Sequence, residues 1–472
     1  MGKETSKVDI VSASTGAERA KLAFILSLPA IAENLLITLV GIIDTAMVGA
    51  LGAKATTAVA LVQSPVWVVN ALAAAFNVGC SVLVARYIGA REYDDARRGA
   101  RETFVLGLGF GIFAFLLIWF LAPFIPVWMG GEPEVCPAST SYLRIVSSGY
   151  PLYFMGLILC GAIRGSGDTY TPMKITASAN LLNIIGNFFL IYEPRTVSLL
   201  GNEINIWGAG FGVDGAAMAT AASTAVSGAA ALIILMFKGS ELKISFRESF
   251  KLDKKDLRQI VRVGFPTAVE RVTVNLGQVV FIRIVSTLGT VMLAAHHIAV
   301  SAESVCYQPG YGMQSAGTML TGQALGAKNE ELAESYSRIV MIMSVAIMAF
   351  NAFLMFVFAE PFISLFTPDP EVKSNAIVAL RIVAFAQPFF GMYIVGTGLL
   401  RGLGDVKIAM PVSLICMWFM RIPLAFAAVV ILNLGLSGAW IAMIIDLIVR
   451  GLFILYRLHS GKWKEMYHRV FA

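Results

Sequence analysis

Long apolar stretches alternate with short polar or charged segments along almost the whole chain. Each stretch exceeds the roughly 20 residues that a helix needs to cross the hydrocarbon core of a bilayer. With charged residues and Gly/Pro clusters as boundaries, the pattern predicts twelve membrane-spanning helices. They cover 22–50, 56–86, 102–127, 139–162, 171–192, 213–237, 259–288, 293–322, 337–366, 375–398, 408–432 and 436–458.

The composition excludes two other classes of protein. Of the 472 residues, 57% are hydrophobic and only 14% are charged, whereas an ordinary soluble domain has about 25% charged residues. A soluble enzyme of this length would lack the polar surface to cover its domains, and a disordered chain would be far less apolar. The sequence therefore predicts an all-α polytopic membrane protein.

The positions of the basic residues predict the orientation of the chain. Of the 36 Lys and Arg residues, 28 fall in the even-numbered connections and the termini, and three fall in the odd-numbered connections. Because basic residues concentrate on the cytoplasmic side, we expect both termini in the cytoplasm and the protein in the cell (cytoplasmic or inner) membrane. The basic run at 238–262 is then a linker near anionic headgroups, and no nucleic-acid partner is expected. The first 18 residues are polar and predict no cleavable signal peptide.

The two halves of the chain repeat one another at a constant spacing. Pro29 corresponds to Pro266, and the RGxGD sequence at 164–168 corresponds to RGxGD at 401–405, each 237 positions later. The spacing falls by 14 residues before the last span of each half, which places 14 extra residues in the first half near 193–211.

Each repeat contains six predicted spans, so both halves enter the membrane in the same direction. This predicts two six-helix lobes related by a pseudo-two-fold axis along the membrane normal, as in transporters with parallel repeats. The predicted segments are a cytoplasmic tail at 1–20, an N-terminal lobe at 21–237, a cytoplasmic linker at 238–258, a C-terminal lobe at 259–458 and a cytoplasmic tail at 459–472.

Five acidic residues lie well inside the predicted spans, namely Glu33, Asp44, Glu270, Glu303 and Asp446. A buried charge in the bilayer costs at least about 2.5–3.5 kcal/mol, so each needs a partner, a cavity or a function. Asp44 is the first candidate for a function, because it breaks the repeat: the residue 237 positions later is Phe281. A carboxyl group in such a cavity can carry a proton, and with amide and carbonyl oxygens around it the carboxylate can hold Na⁺.

The fifth and sixth spans offer polar partners for Asp44. Asn183 and Asn187 are four residues apart and therefore share one helical face, and their counterparts in the second half are apolar. Asn180 and Thr220 are further candidates for the same cation or proton site. The alternative is that Asp44 and the asparagines only bridge helices.

Three acidic residues are candidates for a cavity in the second lobe. Glu270 has an acidic repeat partner, Glu33, which favours a structural role such as satisfying backbone groups freed by the nearby prolines. Glu303 and Asp446 have no acidic counterpart in the first half. Arg283 and Arg421 are basic residues within the spans that could pair with either of them.

No motif for catalysis or for a cofactor appears in the sequence. The RGxGD segments lack the Lys-Ser/Thr of a phosphate-binding loop, and we interpret them as turns in which the Asp caps the next helix. There is no Walker A motif, no Ser/His/Asp or metal-ligand arrangement, and no CxxC pair among the five cysteines. The sequence predicts a non-enzyme without a cofactor, and active transport would draw on an ion gradient.

Several motifs together resemble the multidrug and toxic compound extrusion (MATE) family. They are Asp44-Thr-Ala-Met-Val-Gly, Ala294-Ala295-His296-x-Ile298, Gly322-Gln323-x-Leu-Gly326-Ala327 and the doubled RGxGD. The resemblance covers about residues 20 to 460 and implies a twelve-helix exporter of organic, often cationic compounds, driven by Na⁺ or H⁺. It also implies that the family's first-lobe acid is Asp44 and that the polar pair of its fifth helix is Asn183 and Asn187.

The chain departs from parts of the family pattern. Some members carry Asp at the position of Asn187, and members of the NorM type carry a Glu in the seventh helix where this chain has Val274. The first departure argues against a proton mechanism built on a carboxylate pair, and the second leaves the subtype open.

We therefore expect secondary active multidrug efflux, in which small organic compounds are exchanged against H⁺ or Na⁺ by rocking of the lobes. The expected partners are the substrates and the lipid bilayer, and a monomer suffices for this mechanism. One alternative is a flippase for lipids or lipid-linked precursors on a related scaffold, which would need a larger basic cavity. Another is a receptor or sensor without transport, which would not require the duplication.

Overall fold

A computed structural model describes residues 10, 13, 15–199, 202–237, 242–245 and 247–465. The first half contains eight helices and one hairpin. The helices are α1 (Gly16–Gly49), α2 (Ala53–Gly89), α3 (Tyr93–Leu121), α4 (Ile125–Trp128), α5 (Cys136–Ser148), α6 (Tyr150–Gly165), α7 (Tyr170–Leu190) and α8 (Gly212–Phe237), and the strands are β1 (Arg195–Leu199) and β2 (Asn202–Ile206).

Every regular element in the described residues of the second half is a helix. It contains α9 (Lys254–Ser286), α10 (Thr290–Gly326), α11 (Glu330–Val357), α12 (Ala359–Ser364), α13 (Pro370–Ala384), α14 (Gln387–Gly402), α15 (Ala409–Leu414), α16 (Ile422–Phe426) and α17 (Gly435–His459). Two π-helical segments, Ile415–Arg421 and Ala427–Ile431, flank α16. The predicted all-α membrane fold is confirmed.

Seven helices of the described chain are long and apolar enough to cross a membrane, and two bent pairs would raise that number to nine. The bent pairs are α5 with α6, at 52°, and α13 with α14, at 58°. Helix α9 falls short because it carries many charged residues, among them Glu270 and Arg283. The count of twelve spans therefore stays a prediction.

The chain divides into two compact units. The first unit contains residues up to Leu35, 85–92 and 259 onwards. Glycines of α10 explain why the short N-terminal pieces belong here: a Cβ at Gly312 would collide with the backbone of Ile31, and one at Gly326 with the carbonyl of Arg86. A core of Trp440, Leu380 and similar apolar side chains fills this unit.

The second unit contains residues 36–84 and 93–258. Its core includes Leu143, Phe154 and Ile118. The described part of the predicted linker is bound to α3: the Asp253 N–H donates to Glu102 Oε1 at 2.8 Å, and Arg98 Nε lies 3.3 Å from Asp256 Oδ2. The boundaries of the two predicted lobes stay predictions.

The strands of the described chain form one hairpin, and it lies within the 193–211 segment that holds the predicted insertion. Strands β1 and β2 pair antiparallel, with Arg195 opposite Ile206 and Leu199 opposite Asn202. The Arg195 guanidinium lies 4.4 Å from the ring centroid of Phe188 and 4.3 Å from that of Tyr192, which holds the hairpin to the end of α7.

The RGxGD segments form turns with glycine in the left-handed region, at φ 98° for Gly167 and 90° for Gly404. Asp168 Oδ1 accepts the Thr171 N–H in the first turn of α7 at 2.9 Å, as the sequence predicts. Asp405 instead accepts a bond from Arg457 Nε at 2.7 Å, so the two copies use the carboxylate differently.

Candidate functional site

Four of the five residues predicted for the first-lobe site form one hydrogen-bonded cluster, all within the second unit. Asp44 lies near the end of α1, Asn183 and Asn187 lie one turn apart on α7, and Thr220 lies on α8. Asn183 and Asn187 are 5% and 1% exposed, and Asp44 is half-buried. A polar group with so little water needs protein partners, and these residues supply them to one another.

The cluster is held together by the two amides. Asn187 Nδ2 donates to Asp44 Oδ1 at 2.6 Å and to Asn183 Oδ1 at 3.2 Å. Asn183 Nδ2 donates to Thr220 Oγ1 at 3.3 Å. The spacing of four residues on α7 therefore points both amides toward the carboxyl group of α1, as the shared helical face predicts.

The Asn183 amide fits its neighbours best when it is turned over. In the orientation above, Asn183 Oδ1 lies 2.7 Å from Asp44 Oδ1, and two oxygens this close need a proton between them. With the amide turned over, its nitrogen donates to both carboxylate oxygens, at 2.7 and 3.2 Å, and its oxygen accepts from Thr220 at 3.3 Å. That second arrangement suits the ionised carboxylate.

Asn180 does not join the cluster. Its Nδ2 is buried and has no hydrogen-bond partner among the described residues. Its spacing of three from Asn183 made it a candidate, but helical spacing alone does not fix which of several neighbours a side chain meets.

The three carboxylates of the second half do not form one site, and each has its own buried partner within the first unit. Glu270 Oε2 lies 2.6 Å from Arg401 Nη2, and Glu270 Oε1 accepts the Tyr393 hydroxyl at 2.7 Å. Glu303 Oε1 accepts Gln387 Nε2 at 2.9 Å.

Asp446 lies between two arginines. Its Oδ2 is 2.7 Å from Arg421 Nε, and its Oδ1 is 2.7 Å from Arg450 Nε. The pairing of Asp446 with Arg421 agrees with the option raised by the sequence. Arg450 lies within the predicted span 436–458 and is 3% exposed, because it lies one turn after Asp446 on the buried face of α17.

Arg401, Tyr393 and Gln387 are partners of buried acids that the sequence does not predict. Arg401 carries a usable signal, since it begins the second RGxGD segment, whose turn alone was predicted. Tyr393 and Gln387 carry no signal that separates them from other polar residues in an apolar helix.

Comparisons with known proteins agree on one family. Two successive stretches, 29–189 and 266–427, match the MatE family model, and they begin at the two prolines that mark the repeat. The chain is 32% identical to a probable multidrug resistance protein NorM of Thermotoga maritima, over 93% of this chain and 92% of that protein. It is 25% identical to the uncharacterized transporter YisQ of Bacillus subtilis, over 95% and 96% of the two chains.

Solved structures show the same fold. A crystal structure of MATE in the straight conformation is 25% identical and superposes with a TM-score of 0.87, over 98% of this chain and 100% of that one.

Proposed function

The chain belongs to the multidrug and toxic compound extrusion (MATE) family of membrane transporters, and from that premise we propose that it exports small organic, often cationic compounds by antiport against an ion. The Thermotoga relative is named a probable multidrug resistance protein, which supports this substrate class. Members of the family are transporters and not enzymes, and no cofactor is needed. Since one chain carries both repeats, we propose a monomer.

The cluster around Asp44 is the observation that carries the coupling part of the proposal. We propose that Asp44 binds the driving ion and that Asn183, Asn187 and Thr220 hold its carboxyl group in place. We propose a proton as the first candidate for the driving ion, because Asp44 has amide partners and no cationic partner among the described residues, so its carboxyl group can be neutral or ionised.

Sodium is the second candidate for the driving ion. Asn187 Oδ1 is buried without a hydrogen-bond partner among the described residues, and an orphaned carbonyl oxygen beside a carboxylate is a ligand that Na⁺ can use. Asn180, one turn further on α7, stays a more remote candidate for the same site.

The three carboxylates of the second half differ in whether an ion pair already occupies them. Glu270 and Asp446 already face arginine partners, so we assign them a structural role. Glu303 accepts an amide N–H and forms no ion pair among the described residues, so we propose it as the cavity residue of the second lobe.

Replacement of Asp44 by Asn tests the coupling role. We expect Asp44→Asn to abolish drug resistance in efflux-deficient cells, because the neutral amide cannot take up and release a proton or hold Na⁺. Asp214→Asn, the same change at the first turn of α8, should keep resistance near the wild-type level. Wild-type resistance in Asp44→Asn, at equal protein levels, would show that Asp44 does not couple transport.

Reconstituted vesicles identify the ion. A pH gradient or a Na⁺ gradient is imposed separately across liposomes that contain the purified protein, and the movement of a fluorescent cationic dye is followed. We expect the pH gradient alone to drive the dye through wild-type protein and not through Asp44→Asn. Movement with the Na⁺ gradient alone would instead assign the site to Na⁺.

A further inference from the structure

A cleft of about 730 Å³ lies between the end of α3 and one face of α5, within the second unit. Trp119 of α3 forms one wall, and Thr140, Ser141, Arg144 and Ser148 of α5 form another. Thr140, Arg144 and Ser148 follow one another at intervals of four, and Ser141 lies three positions before Arg144, so these residues share a helical face. The volume lies in the range of about 300–1,000 Å³ that is typical of ligand pockets.

Arg144 gives the cleft a positive charge. The guanidinium Cζ lies 5.5 Å from the centroid of the Trp119 ring, and Nε is buried without a hydrogen-bond partner among the described residues. No carboxylate of the described chain forms an ion pair with Arg144. A guanidinium stacked on a ring still presents its planar edge, which is suited to a bidentate bond with a phosphate.

Helix α3, which carries Trp119, and the short helix α4 that follows it expose large apolar side chains. Phe113 and Phe120 of α3 are 61% and 69% exposed, and Trp128 of α4 is 68% exposed. In a membrane protein, an exposed apolar helix face that ends in tryptophan is typical of a surface in contact with acyl chains up to the headgroup level. The Arg144 Nε, buried without a hydrogen-bond partner among the described residues, would gain none from hydrocarbon alone.

We propose that this cleft binds an anionic phospholipid, with the headgroup phosphate at Arg144 and an acyl chain along the exposed face of α3. Ser141 and Ser148 supply hydroxyl groups to the glycerol and phosphate oxygens, and Trp119 fixes the guanidinium in place. The ligand is a lipid rather than a soluble phosphate, because α3, the helix that carries Trp119, exposes phenylalanines that an acyl chain can cover.

The repeat offers a matched control. Arg381 is the counterpart of Arg144 in the second half and stacks on Phe356, the counterpart of Trp119, at 5.7 Å. Arg381 is exposed, whereas Arg144 is half-buried and lines the cleft. The same substitution at the two positions therefore removes the same charge, but only Arg144 loses the proposed lipid contact.

Native mass spectrometry of the purified, delipidated full-length chain tests the proposal by titration with phosphatidylglycerol. We expect Arg144→Gln to weaken binding of the tightest lipid about tenfold, since one charge-assisted hydrogen bond is lost. Arg381→Gln should leave that lipid's affinity within about twofold, and phosphatidylcholine should bind more weakly to the wild type. Arg144→Lys keeps the charge but loses the planar guanidinium that can donate two parallel hydrogen bonds. Its lipid affinity should lie between that of the wild type and that of Arg144→Gln.

Three results would overturn the proposal. Equal weakening by Arg144→Gln and Arg381→Gln would show that lipid retention follows overall charge. Displacement of the lipid by inorganic phosphate at millimolar concentration would assign the cleft to a soluble anion. If Arg144→Gln does not yield folded protein, Trp119→Phe and Arg144→Lys carry the test, and unchanged lipid affinity in both contradicts the assignment.

Discussion

Buried acids in this chain are stabilised in two different ways. Asp44 has only amide partners, which can serve a neutral or an ionised carboxyl group by turning over. Glu270 instead forms a buried ion pair with the Arg401 guanidinium, which is 4% exposed. The first arrangement can change its charge during a transport cycle, and the second is suited to hold helices together.

The ion pair of Glu270 with Arg401 predicts a stability effect. Glu270→Gln keeps the hydrogen bond with Tyr393 but leaves Arg401 buried and charged, which costs about 3–5 kcal/mol. We expect the melting temperature of the purified protein to fall by at least about 5 °C. The double variant Glu270→Gln with Arg401→Gln should regain part of that loss, because the unpaired charge is gone.

A surface pair is the control for this prediction. Lys54 and Glu134 also form an ion pair, with side chains 79% and 71% exposed, and such a pair contributes at most about 1 kcal/mol. Glu134→Gln should therefore change the melting temperature by less than about 2 °C. If the melting temperature fell as much as in Glu270→Gln, burial of the ion pair would not determine how much stability is lost when one partner is removed.

At the level of helices, Pro29 lies between the start of α1 and the end that carries Asp44. Pro29 lies inside α1, and the boundary between the two compact units crosses α1 after Leu35, between Pro29 and Asp44. Proline removes a backbone hydrogen bond and its ring presses on the preceding turn, so the helix can bend there. Ion binding at Asp44 can therefore be linked to a change in the angle of α1.

This hinge predicts an asymmetric effect of two equivalent substitutions. Pro29→Ala restores the helix hydrogen bond and should lower dye transport in vesicles at least about fivefold, while the protein stays folded. Pro266→Ala in α9 makes the same change at the repeat position, where the acid corresponding to Asp44 is absent. We expect the second variant to retain most of its transport, and equal losses would contradict a hinge that serves Asp44.

The sequence predicted the helices better than their interruptions. The stretches 139–162 and 375–398 each read as one apolar span, yet each bends by more than 50° in the structure. Pro151 and Pro388, in the first turns of α6 and α14, explain the break, since proline is accepted there but cannot continue a preceding helix. The pattern of apolar residues indicates which side chains avoid water, but it does not determine the angle between two successive helices.

The candidate site was predictable where helical spacing or repeat asymmetry singled out a residue. Asn183 and Asn187 share a face of α7 because of their spacing, and repeat asymmetry singled out Asp44. The pairing of Glu270 with Arg401 was not predictable, because the residues are 131 positions apart and only the packing of α9 against α14 brings them together. The hairpin was missed as a structure, although the excess of 14 residues located it.

For the whole molecule, the distribution of basic residues makes a prediction about sidedness. Lys54 lies in a predicted outer connection and Lys251 in the predicted cytoplasmic linker, and both side chains are exposed. In a variant whose native cysteines are replaced by serine, we expect Lys54→Cys to react with a membrane-impermeant maleimide added to intact cells. Lys251→Cys should react only after the membrane is opened, because its side of the bilayer carries most of the basic residues.

The two cysteine positions also test the duplication, since they lie on opposite sides only if an odd number of spans separates them. The predicted spans from 56–86 to 213–237 number five between Lys54 and Lys251, whereas a bent pair that re-enters on the same side would make the number even. Labelling of both positions from outside would therefore show that α5 and α6 form a re-entrant loop rather than one broken span. Opposite labelling supports six spans in the first half and hence two lobes that enter the membrane in the same direction.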